Sequence, residues 1–276
     1  MSSKSDPTPE RIKAAVRAAY NAASDHFDDA PLSFWDRFGR RAVEFAAVRQ
    51  GDAVLDVCCG TGASALPAAD LVGPGGRVLA VDFAERLLEL ARAKARTRGL
   101  DNVDFATGDL TRLEVADCSF DVVICAFGIF FAPDMPAALS ELWLKVRPGG
   151  TLVVTTWGRR LLEPANTMFW EVVAEERPDL RPGSPPGLRV AEPAGLAQLF
   201  VEGGAVIPEV DLETVVQPMV PEDFWTVVLG SGYRLPIEAL GSEAAGRVRG
   251  SLLERLARGR VRDLVTDVLY ARVRKA

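Results

Sequence analysis

The sequence is poor in the side chains that build metal sites and disulfide frameworks. Its 276 residues include one histidine and four cysteines. A single histidine removes most metal-site patterns, and four cysteines are too few to cross-link a chain of this length. We therefore expect reduced thiols and no structural metal ion.

The chain also lacks an excess of positive charge and a long apolar run. It carries 32 Lys and Arg against 38 Asp and Glu, a formal net charge of −6, whereas binding to a phosphate backbone needs a basic surface. The longest apolar run, residues 122–132, is far shorter than the roughly 20 residues of a membrane-spanning helix, and the first ten residues lack a signal-peptide core. We expect no nucleic-acid partner, no membrane span and a cytoplasmic protein.

Short apolar strands alternate with amphipathic helical segments between residues 53 and 157. The strand segments read AVLDV, RVLAVD, VDFATGD, FDVVICAF and TLVVTTW. Such near-continuous apolar strands are typical of parallel sheets that helices cover on both faces. The pattern predicts an α/β fold with a doubly wound, Rossmann-like and mostly parallel sheet. Two later segments, AVIPEVDLETVV and VTDVLYARVR, complete it, the last strand being antiparallel.

Segments outside this alternation predict a helical cap. Two helical patterns precede the first strand, so residues 1–50 are predicted to form an N-terminal helical lid. Residues 51–276 are predicted to form the ligand-binding domain, with cap insertions near residues 158–188 and 219–262. A continuous helical pattern at 236–258 belongs to the second insertion.

Acidic residues stand at the carboxyl ends of the first three strands, where an open parallel sheet binds its ligands. Asp56 precedes Gly60 and Gly62, which let the backbone approach a ligand closely. Asp82 can accept hydrogen bonds from both ribose hydroxyls, and Asp109 can accept one from an exocyclic amine. Alone, Asp56 could be a helix cap and Asp109 a turn former; together, the three carboxylates indicate an adenosine site.

The loop after the first strand does not have the pattern of a dinucleotide site. Residues 58–63 read Cys-Cys-Gly-Thr-Gly-Ala, whereas the dinucleotide pattern needs glycine at the first, third and sixth places. Asp56 and the lack of Lys or Arg between Asp52 and Gly76 also disfavour a diphosphate. The central part of the ligand is expected to be neutral or cationic, which fits the sulfonium and ammonium of S-adenosylmethionine.

Five motifs carry a resemblance to a known family. VLDVCCGTG, VLAVDFAERLLELAR, TGD, SFDVVICAFGIFFAPD and RPGGTLVVTTW, in this order and spacing, resemble class I S-adenosylmethionine-dependent methyltransferases. The nearest group is the small-molecule one that includes the ubiquinone and menaquinone C-methyltransferases. The resemblance covers residues 53–157. It implies S-adenosylmethionine as the cofactor and a small-molecule methyl acceptor as the partner.

The resemblance also implies a role for each residue at the strand ends. The loop from Asp56 to Gly62 would hold the methionine portion, with Cys58 where such loops often carry glycine. Asp82 would bind the ribose, and Phe83 would cover the adenine. The other implied contacts are Asp109 and Leu110 at the adenine edge, Ala126 and Phe127 beside the transferred methyl, and Tyr20 over the methionine carboxylate.

Cys58 and Cys59 are interpreted as small-residue substitutes in this loop. A catalytic or redox thiol is the alternative, and it is disfavoured because no cationic side chain stands nearby in the sequence to lower a thiol pKa.

The sequence offers few candidates for catalysis beyond alignment of the reactants, which can supply most of the rate of a methyl transfer. His26 is a weak candidate for a general base, since a histidine at the end of a leading helix is more often solvated or capping. Four aromatic residues are predicted to contact the acceptor, with ordinary core packing as the alternative: Phe127, Phe131, Trp157 and Trp225.

These observations predict methyl transfer from S-adenosylmethionine to an O or C atom of a bulky, largely apolar small molecule, such as a secondary metabolite or a quinone-like compound. Two alternatives stay open. One is an enzyme of the same fold that binds S-adenosylmethionine without transferring its methyl, such as a natural-product cyclase. The other is a non-catalytic binding protein.

Overall fold

The computed structural model describes residues 8–181 and 186–276. Its sheet contains seven strands, which are β1 (Ala53–Val57), β2 (Arg77–Asp82), β3 (Val103–Thr107), β4 (Phe120–Ala126), β5 (Val146–Trp157), β6 (Glu209–Pro218) and β7 (Asp263–Arg274). Their order across the sheet is β3-β2-β1-β4-β5-β7-β6. The first five strands are parallel, and β7 runs antiparallel to both of its neighbours. The predicted α/β fold is confirmed.

Ten α-helices accompany the sheet in the described residues. They are α1 (Pro9–Ala23), α2 (Phe34–Ala46), α3 (Ala65–Val72), α4 (Glu85–Arg98), α5 (Met135–Lys145), α6 (Ala165–Glu176), α7 (Pro193–Glu202), α8 (Pro221–Leu229), α9 (Arg234–Leu240) and α10 (Ser242–Arg258). The predicted lid and the predicted first insertion include residues 1–7 and 182–185, which lie outside the described residues.

The central strands are apolar throughout because helices cover both faces of the sheet. Alternate side chains of one strand enter different cores. Val122 and Ile124 of β4 belong to a core that includes residues of α2, α3 and α6. Val123 of the same strand belongs to a second core that includes residues of α5 and α7. The strand interiors are therefore largely apolar, and the polar residues at the carboxyl ends of these strands lie at the edge of the sheet.

One predicted helix is wrong as a single element. The helical pattern at residues 236–258 divides into α9 and α10 at Gly241, whose φ is +75°. This left-handed backbone interrupts the helical hydrogen-bond series, and glycine is the residue that adopts it without steric cost. Within the first insertion of the predicted helical cap, the structure has the regular helix α6.

The two leading helices pack in different places. α1 contacts α4 and α9, whereas α2 contacts α3, β4 and β5. Gly39 permits the close approach of α2, since a Cβ at this position would lie 2.4 Å from the carbonyl carbon of Ala63. α2 therefore rests directly on the loop that follows β1.

None of the helices in the described ranges combines the length and the apolar character needed to cross a bilayer.

Candidate functional site

A cavity opens at the carboxyl ends of β1, β2, β3 and β4, the edge where an open parallel sheet binds its ligands. The loop after β1 forms its floor, and α1 and α2 contribute to its walls. The structure brings ten of the predicted site residues together in the lining, namely Tyr20, Cys58, Gly60, Asp82, Phe83, Asp109, Leu110, Ala126, Phe127 and Phe131.

Asp82 connects the end of β2 to the loop after β1. Its Oδ2 accepts a hydrogen bond of 2.9 Å from the Gly60 N–H, and its Oδ1 accepts one of 2.8 Å from the Ala84 N–H. Burial raises the pKa of Asp82 above its usual value, although these backbone donors oppose the shift. A carboxylate has about four acceptor positions, so Asp82 can accept further hydrogen bonds from a ligand in the cavity.

The loop after β1 owes its shape to three residues with left-handed backbone. Cys58, Gly60 and Gly62 have φ values of +62°, +55° and +91°. Glycine adopts this region without penalty, whereas Cys58 is strained there. A Cβ on Gly128 would lie 2.6 Å from the Cys58 Sγ, so the thiol occupies a tight space against the chain that follows β4.

The cysteines of this region are free thiols. A hydrogen bond with Cys125 and burial both raise the pKa of Cys58, and burial raises the pKa of Cys59. Thiols in this state are poor nucleophiles. Their environment fits the interpretation of Cys58 and Cys59 as small, neutral loop residues.

Asp56 and Gly62 do not line the cavity; both stand behind its floor. The Asp56 Oδ2 accepts a hydrogen bond of 2.7 Å from the Ser64 Oγ, and its buried Oδ1 has no partner. Burial raises the pKa of Asp56 to about 7. Gly62 leaves room for Leu66, whose Cγ would lie 2.9 Å from a Cβ at that position. Asp56 thus supports the loop through Ser64, which does line the cavity.

At the end of β3, Asp109 pairs with a lysine that the sequence analysis missed. The Lys13 Nζ lies 2.5 Å from the Asp109 Oδ2, while the Thr111 N–H donates to Oδ1 over 2.9 Å. Partial burial would raise the pKa of Asp109, but these hydrogen bonds outweigh it and hold the pKa below its usual value. Nothing in the local sequence distinguishes Lys13 from a solvent-exposed helix residue.

Tyr20 enters the cavity from α1. Its ring meets Phe131 edge-on, with 5.6 Å between the ring centroids. Burial and the nearby charge of Asp82 raise the pKa of Tyr20 well above its usual value, so its hydroxyl stays protonated. A neutral phenol can donate a hydrogen bond to a ligand carboxylate, which is the role that the resemblance implies.

An aromatic wall, defined as Phe27, Trp35 and Phe127, closes the cavity on the side of β4. The rings of Phe27 and Trp35 are parallel with centroids 5.5 Å apart, and Phe127 meets Trp35 edge-on at 5.5 Å. Phe27 and Trp35 were also missed from the sequence. The signal that could have found them is the concentration of aromatic residues in the segment FDDAPLSFWD of the predicted lid.

Besides Asp56 and Gly62, three predicted residues lie outside the cavity lining. Trp157 packs behind Phe127, with ring centroids 4.0 Å apart. Trp225 packs against the core that holds α6 and α10. The His26 Nδ1 is 2.8 Å from the Asp29 Oδ2 in an exposed turn. The expected direct contacts of Trp157 and Trp225 with an acceptor are therefore not supported by their positions, because both side chains are used in packing.

The charges around the cavity suit a ligand with a cationic centre. Among the lining residues that the structure describes, Lys13 is the single Lys or Arg, and it is paired with Asp109. Asp82 faces the cavity, and no cationic side chain of the described residues pairs with it. No His, Cys, Asp or Glu cluster able to hold a metal ion occurs in residues 8–181 and 186–276. A sulfonium with an ammonium fits this field, whereas a diphosphate would meet the uncompensated carboxyl group of Asp82.

The strand order, the carboxylates at the ends of β2 and β3, and the cavity between them define a class I S-adenosylmethionine-dependent methyltransferase. Residues 13–174 match the family described as the ubiE/COQ5 methyltransferase family, and the chain belongs to this family. The predicted resemblance and the predicted cofactor, S-adenosylmethionine, are confirmed.

A curated relative with clear sequence similarity to this chain is also named as a methyltransferase. The chain is 33% identical over 142 residues to a demethylmenaquinone methyltransferase from Lactococcus lactis, a match that covers 50% of this chain and 56% of the relative. The chain spans about half the length of the curated relatives it matches.

Solved structures share the fold over nearly the whole chain. An S-adenosylmethionine-dependent methyltransferase from Aquifex aeolicus has a TM-score of 0.51 at 17% identity, covering 97% of this chain and 100% of its own. The [4+2]-cyclase SpnF has a TM-score of 0.57 at 20% identity, covering 98% and 96%. At these identities the similarity concerns the fold alone.

Proposed function

We propose that this protein transfers the methyl group of S-adenosylmethionine to a ring carbon or a ring oxygen of a quinone-like aromatic molecule. The observation that carries the proposal is the aromatic wall of Phe27, Trp35 and Phe127, which lies beside the adenosine-binding strand ends in the same cavity. The demethylmenaquinone methyltransferases among the relatives support an acceptor of this class.

The cofactor would lie across the ends of β1, β2 and β3. Asp82 would accept hydrogen bonds from the ribose hydroxyls, and Asp109 would accept one from the adenine amine. The loop with Cys58 and Gly60 would hold the methionine portion through its backbone, and Tyr20 would donate to the methionine carboxylate. Bound in this way, the cofactor supplies an electrophilic methyl group.

The remaining space favours a flat, apolar acceptor. Ring stacking and apolar burial at the aromatic wall contribute about 25 cal/mol for each Å² removed from water. Lys13, the single Lys or Arg of the described lining, lies at Asp109, where the adenine is proposed to bind, so no cation of the lining stands at the aromatic wall to bind a phosphate group on the acceptor. These features support a hydroxylated or carbonyl-bearing aromatic ring over a small charged amine or a phosphorylated compound.

The residues of the cavity would act by binding, alignment and exclusion of water. Methyl transfer is an in-line displacement, so holding the acceptor atom on the axis of the breaking S–C bond can supply much of the acceleration. The aromatic wall keeps water from that axis. His26 lies outside the lining and is bonded to Asp29, so we assign it no part in proton transfer.

A product assay tests the proposal. The protein is incubated anaerobically with S-adenosylmethionine and 2-prenyl-1,4-naphthohydroquinone, and S-adenosylhomocysteine and methylated product are measured by mass spectrometry. We expect the two products in equal amounts, and NMR of the methylated ring then distinguishes C from O transfer. Binding of both compounds without any S-adenosylhomocysteine would contradict methyl transfer and favour a cyclase or a binding protein.

A further inference from the structure

Trp35 has a buried indole N–H without a hydrogen-bond partner. Three buried side-chain polar atoms in the described residues lack a partner, and they belong to Trp35, Asp56 and Thr155. Of these three residues, Trp35 alone lines the cavity. Buried donors are nearly always paired in folded proteins, so an unpaired donor on a residue that lines a binding cavity calls for an explanation.

The ring of Trp35 is held in place from several sides. Phe27 stacks on it, Phe127 and Trp157 approach it with centroids 5.5 Å away, and Phe34 lies at 4.8 Å. Gly39, one turn further along α2, fixes the distance between this helix and the loop after β1. Trp35 therefore cannot turn its N–H to bulk solvent without disturbing the aromatic wall.

Trp35 has ring contacts on both sides of the cavity: Phe27, which stacks on it, packs against Ala84 and Leu87 beyond the end of β2, whereas its remaining ring contacts lie toward β4 and β5. Its neighbours Phe127 and Trp157 stand at the ends of β4 and β5. The adenosine-binding candidates Asp82 and Asp109 stand at the ends of β2 and β3, on the other side of β1. The indole N–H is a donor only, so its partner must offer a lone pair.

We propose that the Trp35 Nε1–H donates a hydrogen bond to a ring oxygen of the methyl acceptor, and that Trp35 thereby selects aromatic acceptors that carry a hydroxyl or carbonyl oxygen. This inference rests on the proposed function. Nε1 is covered in the structure, so this hydrogen bond requires the ring contacts of Trp35 to shift when the acceptor enters. An acceptor without the oxygen leaves the donor unpaired, which is how a polar site rejects an apolar analogue.

A pair of acceptor analogues with matched shapes tests this role. Affinities for 1,4-naphthalenediol and 1,4-dimethylnaphthalene are measured anaerobically by calorimetry in the presence of S-adenosylhomocysteine. We expect Trp35→Phe to weaken binding of the diol about three- to tenfold, as for the loss of one hydrogen bond, and to change binding of the dimethyl compound less than twofold. Trp225→Phe is the matched control, since Trp225 packs in the core, and it should change neither affinity.

A spectroscopic readout addresses the hydrogen bond directly. In protein labelled with ¹⁵N in its indoles, the Trp35 Nε1–H resonance is assigned by its absence from Trp35→Phe. We expect it to shift when the diol is added to the S-adenosylhomocysteine complex and to stay in place with the dimethyl compound.

Three outcomes would overturn the inference. If Trp35→Phe lowers the affinity for both analogues equally, Trp35 is a packing residue. If S-adenosylhomocysteine alone shifts the Trp35 Nε1–H resonance, the N–H bonds to the cofactor and not to the acceptor. If the wild-type protein methylates the diol and Trp35→Phe does so with an unchanged KM, the proposed function stands and the inference fails. A wild-type protein that binds S-adenosylhomocysteine but not the diol would contradict both.

Discussion

The Lys13 Nζ lies 2.5 Å from the Asp109 Oδ2, although 96 positions separate the two residues in the sequence. The pair joins α1 to the end of β3 across the mouth of the cavity, at the place where Asp109 is expected to receive the adenine amine. Cofactor and lysine therefore compete for one carboxylate oxygen. An ion pair of this exposure contributes about 0 to 1 kcal/mol, so the cofactor can displace Lys13 from Asp109. We expect this displacement to occur while the cofactor binds.

We expect Lys13→Met to speed the association of S-adenosylhomocysteine at least twofold, because the carboxylate of Asp109 no longer has to release an ammonium. The equilibrium dissociation constant should change less than threefold. Stopped-flow tryptophan fluorescence measures the rate. Arg86→Met is the control, since Arg86 pairs with Asp25 just after α1, outside the cavity lining. If Arg86→Met speeds association equally, the acceleration comes from loss of any ion pair that holds α1 and not from release of Asp109.

Asp82→Ala should weaken S-adenosylhomocysteine binding at least tenfold. The substitution removes the proposed ribose acceptor, and hydrogen bonds to a charged group are worth about 1.5 to 3 kcal/mol. Calorimetry gives the dissociation constant, and circular dichroism checks the fold, since Gly60 and Ala84 also lose their acceptor. Asp104→Ala, on the exposed side of β3, should bind normally. If folded Asp82→Ala binds S-adenosylhomocysteine with an unchanged dissociation constant, Asp82 does not bind the ribose.

Asp56 should make the cofactor-free protein less stable as the pH rises. Burial raises its pKa from 3.8 to about 7, so the folded state holds a proton that the unfolded state releases above pH 4. Between these values the free energy of unfolding decreases with increasing pH, and the loss is complete above pH 7. Asp56→Asn should remove this part of the slope, a difference of roughly 1 kcal/mol or more between pH 5 and pH 8. Urea unfolding at the two pH values measures it, and parallel slopes for both proteins would contradict the prediction.

At position 58, glycine should be more stable than alanine by roughly 1 kcal/mol, because the backbone there is left-handed, with φ +62°. Both substitutions remove the thiol, so their comparison isolates the backbone strain. S-adenosylhomocysteine affinity should stay within threefold of wild type in both, since the loop binds through its backbone. Thermal unfolding and calorimetry provide the two measurements. A large loss of affinity in Cys58→Gly would instead assign the thiol itself a binding role.

Much of the cavity lining could be predicted from the sequence because its residues are fixed by local pattern. Asp82 and Asp109 end strands, and the carboxyl ends of parallel strands meet at one edge of the sheet. Of the four residues predicted to contact the acceptor, two lie in the cavity lining. Phe127 and Phe131 follow β4 directly and line the cavity, whereas Trp157 and Trp225, chosen for their place in the extra segments, are used in packing.

Local periodicity and turn residues thus determined the alternation of strands and helices between residues 53 and 157, the family, and the carboxylates at the ends of β2 and β3. Only the tertiary structure decided that Lys13 meets Asp109, that Trp35 and Phe27 join Phe127 in the aromatic wall, and that Asp56 lies behind the loop. The reason is physical. The pairing of the strands fixes the position of a residue at a strand end. The position of a residue on a leading helix depends instead on packing contacts with segments that are distant in the sequence. The close approach of Gly39 to Ala63 is one such contact, and no local pattern in the sequence encodes it.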